Sequence, residues 1–180
     1  MRGCALLFLL CIGSHLNAQE WRLKTEQADY IHDAIKQVTD VMVYDIYSPP
    51  VTSRTYAYVS VAAYETLIQE NGTYQSLAGQ LHGLDSIPVP DKNKTYSFTL
   101  AAIHAILTSG KSFVISEDKI EVFEDLMLRE FKHHGIPDEV FQNSIQYGQK
   151  IAEHILAWAN KDNFAAIRSL PEYRVLNDKA

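Results

Sequence analysis

Apolar residues recur at three- and four-residue steps along most of the chain, which predicts a succession of amphipathic helices. Helix breakers such as Pro49, Gly72 and Gly135 divide this pattern into separate segments. Five helices are expected, over residues 28–47, 51–68, 95–109, 116–134 and 138–160. No segment shows the alternation that is typical of a β-strand, and there is no internal repeat. The sequence therefore predicts an all-α helical bundle of about five helices around a buried central helix.

The segment from Val51 to Ile68 is predicted to be that central helix. Its only formal charges are Arg54 and Glu65, and a helix that is apolar on nearly every side is normally buried between its neighbours. Ser48 is expected to cap its start, and Pro49 suits the first turn because its missing N–H has no partner there.

The two charges in this apolar helix have two interpretations. Arg54 and Glu65 lie about three turns apart on one side of the helix, which is too far for a direct pair. Asp45, just before the proline break, is the expected partner of Arg54 in an ion pair that braces the corner, since buried charges are usually paired. The alternative is that the charges face a ligand.

Histidines are the other candidates for chemistry. His104, on an otherwise uncharged helix, is expected to be a hydrogen-bonded core residue, with catalysis or metal binding as the alternative. Adjacent side chains point about 100° apart on a helix, so His133 and His134 do not readily chelate one ion. Both are expected instead to complement the dipole at the end of their helix.

The connector from Thr73 to Lys94 is long for a loop inside a compact domain. Loops of this length are uncommon, and they often cover another part of the protein. The sequence alone assigns no role to this segment.

The N-terminus has the pattern of a secretory signal peptide. A basic start at Arg2 precedes an apolar run from Cys4 to Ile12, and cleavage is expected after Ala18. The run is too short to span a bilayer, so no membrane span is expected after cleavage. The expected organisation is a signal peptide at 1–18, a helical domain at 19–163 and an extended tail at 164–180 of an exported, periplasmic or secreted protein.

Composition narrows the possible functions. The chain has 180 residues, of which 47% are hydrophobic and 21% charged, as in an ordinary globular protein. Its formal net charge of -6 argues against nucleic-acid binding, because proteins that bind nucleic acids usually have a basic surface. Both cysteines, Cys4 and Cys11, lie in the leader, so the mature chain is expected to have no disulfide.

Two stretches around the proline break carry a family resemblance. Val41–Tyr58, followed by Ala62–Glu65, resembles the N-terminal helical part of bacterial exported proteins related to vanadium-dependent haloperoxidases and type 2 phosphatidic acid phosphatases. Further stretches fit the same group: Ser76–Leu84, Phe113–Lys119 and His154–Trp158. The resemblance implies a helical bundle that is partial relative to the full family fold.

The same resemblance implies where the chemistry would lie. Members of the family bind phosphate or vanadate through a lysine and arginines, and one histidine takes the phosphoryl group or coordinates vanadium. Their pattern includes Arg-Pro and Ser-Gly-His, and neither occurs in these 180 residues. No catalytic, cofactor-binding or metal-binding residue is therefore assigned, and vanadate or phosphate is expected only in a full-length family member.

Two hypotheses follow, and they leave open whether the chain is an enzyme. The first is an N-terminal scaffold segment of an exported phosphatase or haloperoxidase-like protein, inactive alone, whose partner is a missing C-terminal catalytic part that would follow Ala180. The second is a stand-alone periplasmic binding or interaction module that associates with itself through apolar helix faces. Two features motivate the second: the apolar central helix, and a flat patch on the last helix formed by the small residues Gly148 and Ala152.

Overall fold

The structure, a computed structural model, describes residues 20–164 together with 166 and 171. The predicted signal peptide at 1–18 and nearly all of the predicted tail lie outside these residues. Within them no residue lies in a strand, which confirms the all-α class. Residues 20–25 are helical, and five longer helices follow: α1 (Ala28–Tyr44), α2 (Pro49–Leu67), α3 (Phe98–Lys111), α4 (Glu117–His133) and α5 (Asp138–Lys161).

The helix limits agree with the predicted ones to within a few residues, and the differences arise at the caps. α1 ends at Tyr44 because Ile46 adopts a left-handed conformation (φ 56°) and the N–H of Tyr47 bonds back to the carbonyl of Met42. This arrangement is a Schellman motif. α3 begins late because Ser97 caps it, its hydroxyl accepting the N–H of Leu100.

The buried central helix is α3, which packs against all four other helices. Its residues 100–103 and 105–107 are completely buried. The bundle around a buried central helix is confirmed, but the prediction that Val51–Ile68 forms that helix is wrong. α2 exposes a stripe of Ser53, Ala57 and Ser60 to solvent. Its low charge reflects many small and hydroxyl side chains, which tolerate water, whereas α3 is built largely from alanine, isoleucine and leucine.

α5 packs very closely against α3. A Cβ atom built at Gly148 would lie 2.3 Å from the carbonyl oxygen of Ala101, and Ala152 is completely buried. The small-residue patch predicted on α5 therefore serves a contact inside the bundle. Gly110 has the same role where α1 meets α3, because its Cβ would lie 2.7 Å from a methyl group of Val38.

None of the helices among the described residues combines the length and the apolar character that crossing a bilayer would require.

Candidate functional site

Arg54 is held at a corner where α2 meets the end of α5. Its guanidinium forms an ion pair with the Asp162 carboxylate at 2.6 Å and also donates to the Asp162 carbonyl oxygen. Its Nε donates to the Tyr58 hydroxyl at 3.2 Å, and that hydroxyl donates to Asp162 at 2.6 Å. The expected pair with Asp45 is therefore wrong. Asp162 is 108 residues away in sequence, so no local spacing could indicate it.

An aromatic cluster lies beneath this corner. The Tyr58 ring contacts the rings of Phe113, Trp158 and Phe164 at centroid distances of 5.2, 5.3 and 5.6 Å. The Arg54 guanidinium lies 5.4 Å from the centroid of the Phe164 ring. Hydrogen bonds from Tyr58 and Arg54 hold the pKa of Asp162 below its ordinary value. Arg54 and Asp162 therefore form an ion pair that braces this corner, as the structural interpretation of Arg54 predicted.

Asp45 has a different partner, the start of α4. Its carboxylate accepts the backbone N–H groups of Ile115 at 2.8 Å and Ser116 at 3.1 Å, and the Ser116 hydroxyl at 2.6 Å. Burial opposes the charge, but the hydrogen bonds from Ser116 and Ile115 outweigh it, so the pKa of Asp45 lies below its ordinary value. Asp45 therefore ties the end of α1 to α4.

Glu65 fastens the long connector to α2. Its side chain is completely buried, and its carboxylate accepts the Ser76 hydroxyl at 2.8 Å and the Leu77 N–H at 2.6 Å. These bonds join two of the stretches that carry the family resemblance, Ala62–Glu65 and Ser76–Leu84. These two hydrogen bonds offset part of the cost of burying the carboxylate.

Two further hydrogen bonds tie the connector to α5. The Trp158 indole N–H donates to the carbonyl of His82 at 3.0 Å, and the Tyr147 hydroxyl donates to the carbonyl of Pro88 at 2.9 Å. Burial raises the pKa of Tyr147 well above its ordinary value, so this hydroxyl remains a donor. The connector thus covers parts of α2 and α5, which is the kind of role that its length suggested.

His104 is a hydrogen-bonded residue between three helices, as predicted. Its Nδ1 lies 2.6 Å from Glu124 and its Nε2 lies 3.3 Å from Gln149, while Lys111 donates to Glu124 at 2.8 Å. Burial disfavours the charge on Glu124, but hydrogen bonds from His104 and Lys111 outweigh it, so the pKa of Glu124 lies below its ordinary value.

Sequence reasoning missed Glu124, although a signal was present. The buried side of α4 consists of Ile120, Glu124, Met127 and Phe131, at steps of four, three and four residues. An acidic residue in an otherwise apolar stripe indicates a buried polar contact, because burying an unpaired carboxylate is costly. Its partners on α3 could not be identified from spacing.

The paired histidines have different surroundings. The Nε2 of His134 lies 3.3 Å from the Tyr30 hydroxyl and 3.6 Å from Glu130, and His133 is exposed. In the part of the chain that the structure describes, no group of three potential metal-ligating side chains comes together.

An open cleft of about 540 Å³ lies between residues 20–25, the end of α2 and the connector. It has cations in Arg22, Lys92 and Lys94, but Glu70 and Asp91 line it too. Arg22 is already paired with Glu26 at 2.7 Å. The charges of this cleft are therefore mixed rather than convergent and positive.

Comparison with known proteins gives an informative similarity to a solved structure. No protein-family profile matches the chain, and no curated protein sequence matches it. The chain is 41% identical to a protein whose crystal structure is described as that of the first bacterial vanadium-dependent iodoperoxidase, with a TM-score of 0.77. The match covers 83% of this chain and 36% of that protein. This similarity confirms the resemblance drawn from the sequence: the chain is related to the superfamily of vanadium-dependent haloperoxidases and type 2 phosphatidic acid phosphatases.

Proposed function

We propose that this chain is the N-terminal helical scaffold of an exported haloperoxidase-like or phosphatase-like protein, and that it has no catalytic activity alone. The observation that carries the proposal is the state of Arg54, the single cation of α2. Its guanidinium is taken up by Asp162, Tyr58 and the ring of Phe164. Stabilising an oxyanion requires several convergent donors that are aimed at the developing charge, and Arg54 is not available for that role.

Sequence and comparison support the same proposal. The 180 residues contain neither Arg-Pro nor Ser-Gly-His, and the chain spans about a third of the length of the iodoperoxidase that it resembles. In this proposal the helical domain at 19–163 continues through the segment 164–180 into a catalytic part. That part would hold the vanadate or phosphate and supply its cationic ligands.

Export is part of the proposal. The support is the leader at 1–18, with its basic start, apolar run and Ala18 before the expected cut. Removing it would leave a chain without cysteine, whose stability depends on packing and on the polar anchors at Asp45, Glu65 and Glu124.

The proposal is tested by turnover assays on the purified chain. We expect no hydrolysis of p-nitrophenyl phosphate, and no oxidation of bromide or iodide by hydrogen peroxide with vanadate present, above the level of a protein-free control. The physical reason is that the residues described by the structure bring together no set of convergent cations that could stabilise the transition-state charge. Robust turnover by the wild-type chain would contradict the proposal, and its loss in an Arg54→Ala variant would assign the activity to this corner.

The alternative function is a self-sufficient periplasmic interaction module. The observation that favours it is a set of exposed apolar side chains on the turn after α1, just before α4 and on α4, including Ile46, Ile115 and Val122. A cooperative thermal transition of a defined monomer or dimer would favour the module, and an aggregating or molten chain would favour the scaffold segment. The gene sequence beyond the codon for Ala180 separates them directly, since an open frame that encodes Ser-Gly-His supports the scaffold.

A further inference from the structure

His104 links three helices at the point where α5 packs closely against α3. Its Nδ1 lies 2.6 Å from the Glu124 carboxylate of α4, and its Nε2 lies 3.3 Å from the side-chain oxygen of Gln149 on α5. A Cβ atom built at Gly148, the neighbour of Gln149, would lie 3.2 Å from the Cβ of His104. A change in the hydrogen bonds of this ring therefore acts directly beside the close contact between α3 and α5.

The hydrogen bond between Gln149 and Glu153 fixes the orientation of the Gln149 amide. The amide nitrogen of Gln149 donates to the Glu153 carboxylate at 2.9 Å, and an ionised carboxylate offers only acceptors. An amide turned the other way would place its oxygen against a carboxylate oxygen. The hydrogen-bond network therefore assigns the Gln149 oxygen, which is an acceptor, to the side of the His104 ring.

The other ring nitrogen of His104 faces an acceptor as well. Burial opposes the charge on Glu124, but hydrogen bonds from His104 and Lys111 outweigh it and hold the pKa of Glu124 below its ordinary value. The carboxylate is therefore ionised at neutral pH and only accepts hydrogen bonds. Because both ring nitrogens face acceptors, only the imidazolium form of His104, with a proton on each nitrogen, satisfies both contacts.

The two contacts of the ring differ in strength. The bond to Glu124 is short and has a charged acceptor, whereas the bond to Gln149 is longer and has a neutral acceptor. Hydrogen bonds to an ionised group are about twice as strong as those between neutral groups. A neutral His104 therefore keeps its proton on Nδ1, and its Nε2 then presents a lone pair to the Gln149 oxygen. Since two acceptors repel each other, the bonds of Gln149 to His104 and to Glu153 do not then persist together.

Few charged groups surround the ring. Glu124 of α4 is paired with Lys111 of α3 at 2.8 Å, and Glu153 of α5 is reached through Gln149. Among the described residues, α1 and α2 add no charged side chain to this network. The His104 side chain is 13% exposed, so it can exchange a proton with water.

We propose that His104 is a pH-responsive link between α3 and α5. With a proton on each ring nitrogen, it bonds to Glu124 and Gln149 together. On deprotonation it loses the proton from Nε2, keeps the Nδ1–H bond to Glu124 and releases Gln149 from its present arrangement. The link is separate from the Arg54 corner, and the inference does not depend on the proposed function.

NMR of the histidine rings tests which proton is lost. The protein is labelled with ¹⁵N-histidine and titrated over about pH 5 to 9, the range in which histidines change charge. We expect both nitrogens of His104 to be protonated at the acid end and only Nδ1 to be protonated at the alkaline end. His32, which is exposed on α1, is the reference and should show mostly the Nε2–H form that free histidine favours. A neutral His104 with its proton on Nε2, or a ring that does not change state over this range, would overturn the proposal.

A Gln149→Met variant tests the link by stability, because methionine has a similar size but accepts hydrogen bonds only weakly. The free energy of unfolding of wild type relative to this variant should fall as the pH rises from about 5.5 to 8.5, since the link exists only while His104 carries both protons. Gln146→Met, at an exposed position of the same helix, is the matched control, and its difference from wild type should not change with pH. A difference for Gln149→Met that is equally independent of pH would overturn the proposal.

Discussion

Replacing Gly148 with alanine is expected to destabilise the bundle by about 1–3 kcal/mol, the range typical of overpacked cores. The added Cβ would lie 2.3 Å from the carbonyl oxygen of Ala101 and 3.2 Å from the Cβ of His104. Because the nearer atom is backbone, no side-chain rotation relieves the contact, and α5 must move away from α3. On an exposed helix the same change would stabilise the protein by about 1 kcal/mol. The sign of the change in stability therefore distinguishes a close helix contact from an exposed position.

The measurement is the free energy of unfolding in urea for wild type and the Gly148→Ala variant. Gln146→Ala is the matched control, because Gln146 is exposed on the same helix two residues earlier and surface changes usually have effects within about 0.5 kcal/mol. An unchanged or higher stability of Gly148→Ala would show that α5 does not approach α3 this closely.

Replacing Glu65 with alanine is expected to cost about 2–4 kcal/mol, because two donors that it satisfies would lose their acceptor in a buried site. These donors are the Ser76 hydroxyl and the Leu77 N–H, at 2.8 and 2.6 Å. The connector should then detach locally from α2. Glu65→Gln should cost less, since its amide oxygen still accepts a hydrogen bond.

Limited proteolysis combined with urea unfolding measures both consequences. We expect new cleavage sites within residues 73–94 of Glu65→Ala, at protease levels that leave wild type intact. Glu70→Ala is the control, because Glu70 is exposed just beyond the end of α2. A Glu65→Ala variant with wild-type stability and an uncleaved connector would mean that the carboxylate does not hold this segment.

Much of the fold could be predicted because its signals are local. Helix limits follow from caps and breakers, such as Pro49 at the start of α2 and Gly135 after α4, that act within a few residues. Which helix lies at the centre of the bundle depends on contacts between segments that are distant in sequence. α2 and α3 are both poor in charge, and only the packing shows that Ser53 and Ser60 face water while Ile103 is buried.

The polar anchors were the hardest features to predict. Arg54 pairs with Asp162 across 108 residues, and Asp45 bonds to the start of α4 across about 70. Sequence reasoning chose the nearest acid for Arg54 because distance along the chain was the only guide. It did identify Glu65 and His104 as unusual, since a charged or titratable residue in an apolar helix needs a partner wherever it is.

The absence of family motifs was the most informative functional signal in the sequence. Resemblance indicated a family that binds oxyanions, whereas the 180 residues lack Arg-Pro and Ser-Gly-His. The geometry of Arg54 agrees with this absence, because the one cation of α2 is already paired with Asp162. A scaffold needs a rigid corner of this kind, whereas an anion site needs unpaired donors.

Vanadate binding distinguishes a scaffold corner at Arg54 from an anion-binding site. We expect the ⁵¹V NMR signal of vanadate to keep its shift and line width when the purified chain is added, because the Arg54 guanidinium is held by Asp162 and Tyr58. Saturable broadening of that signal by the wild-type chain, removed by Arg54→Ala, would show instead that Arg54 binds the anion.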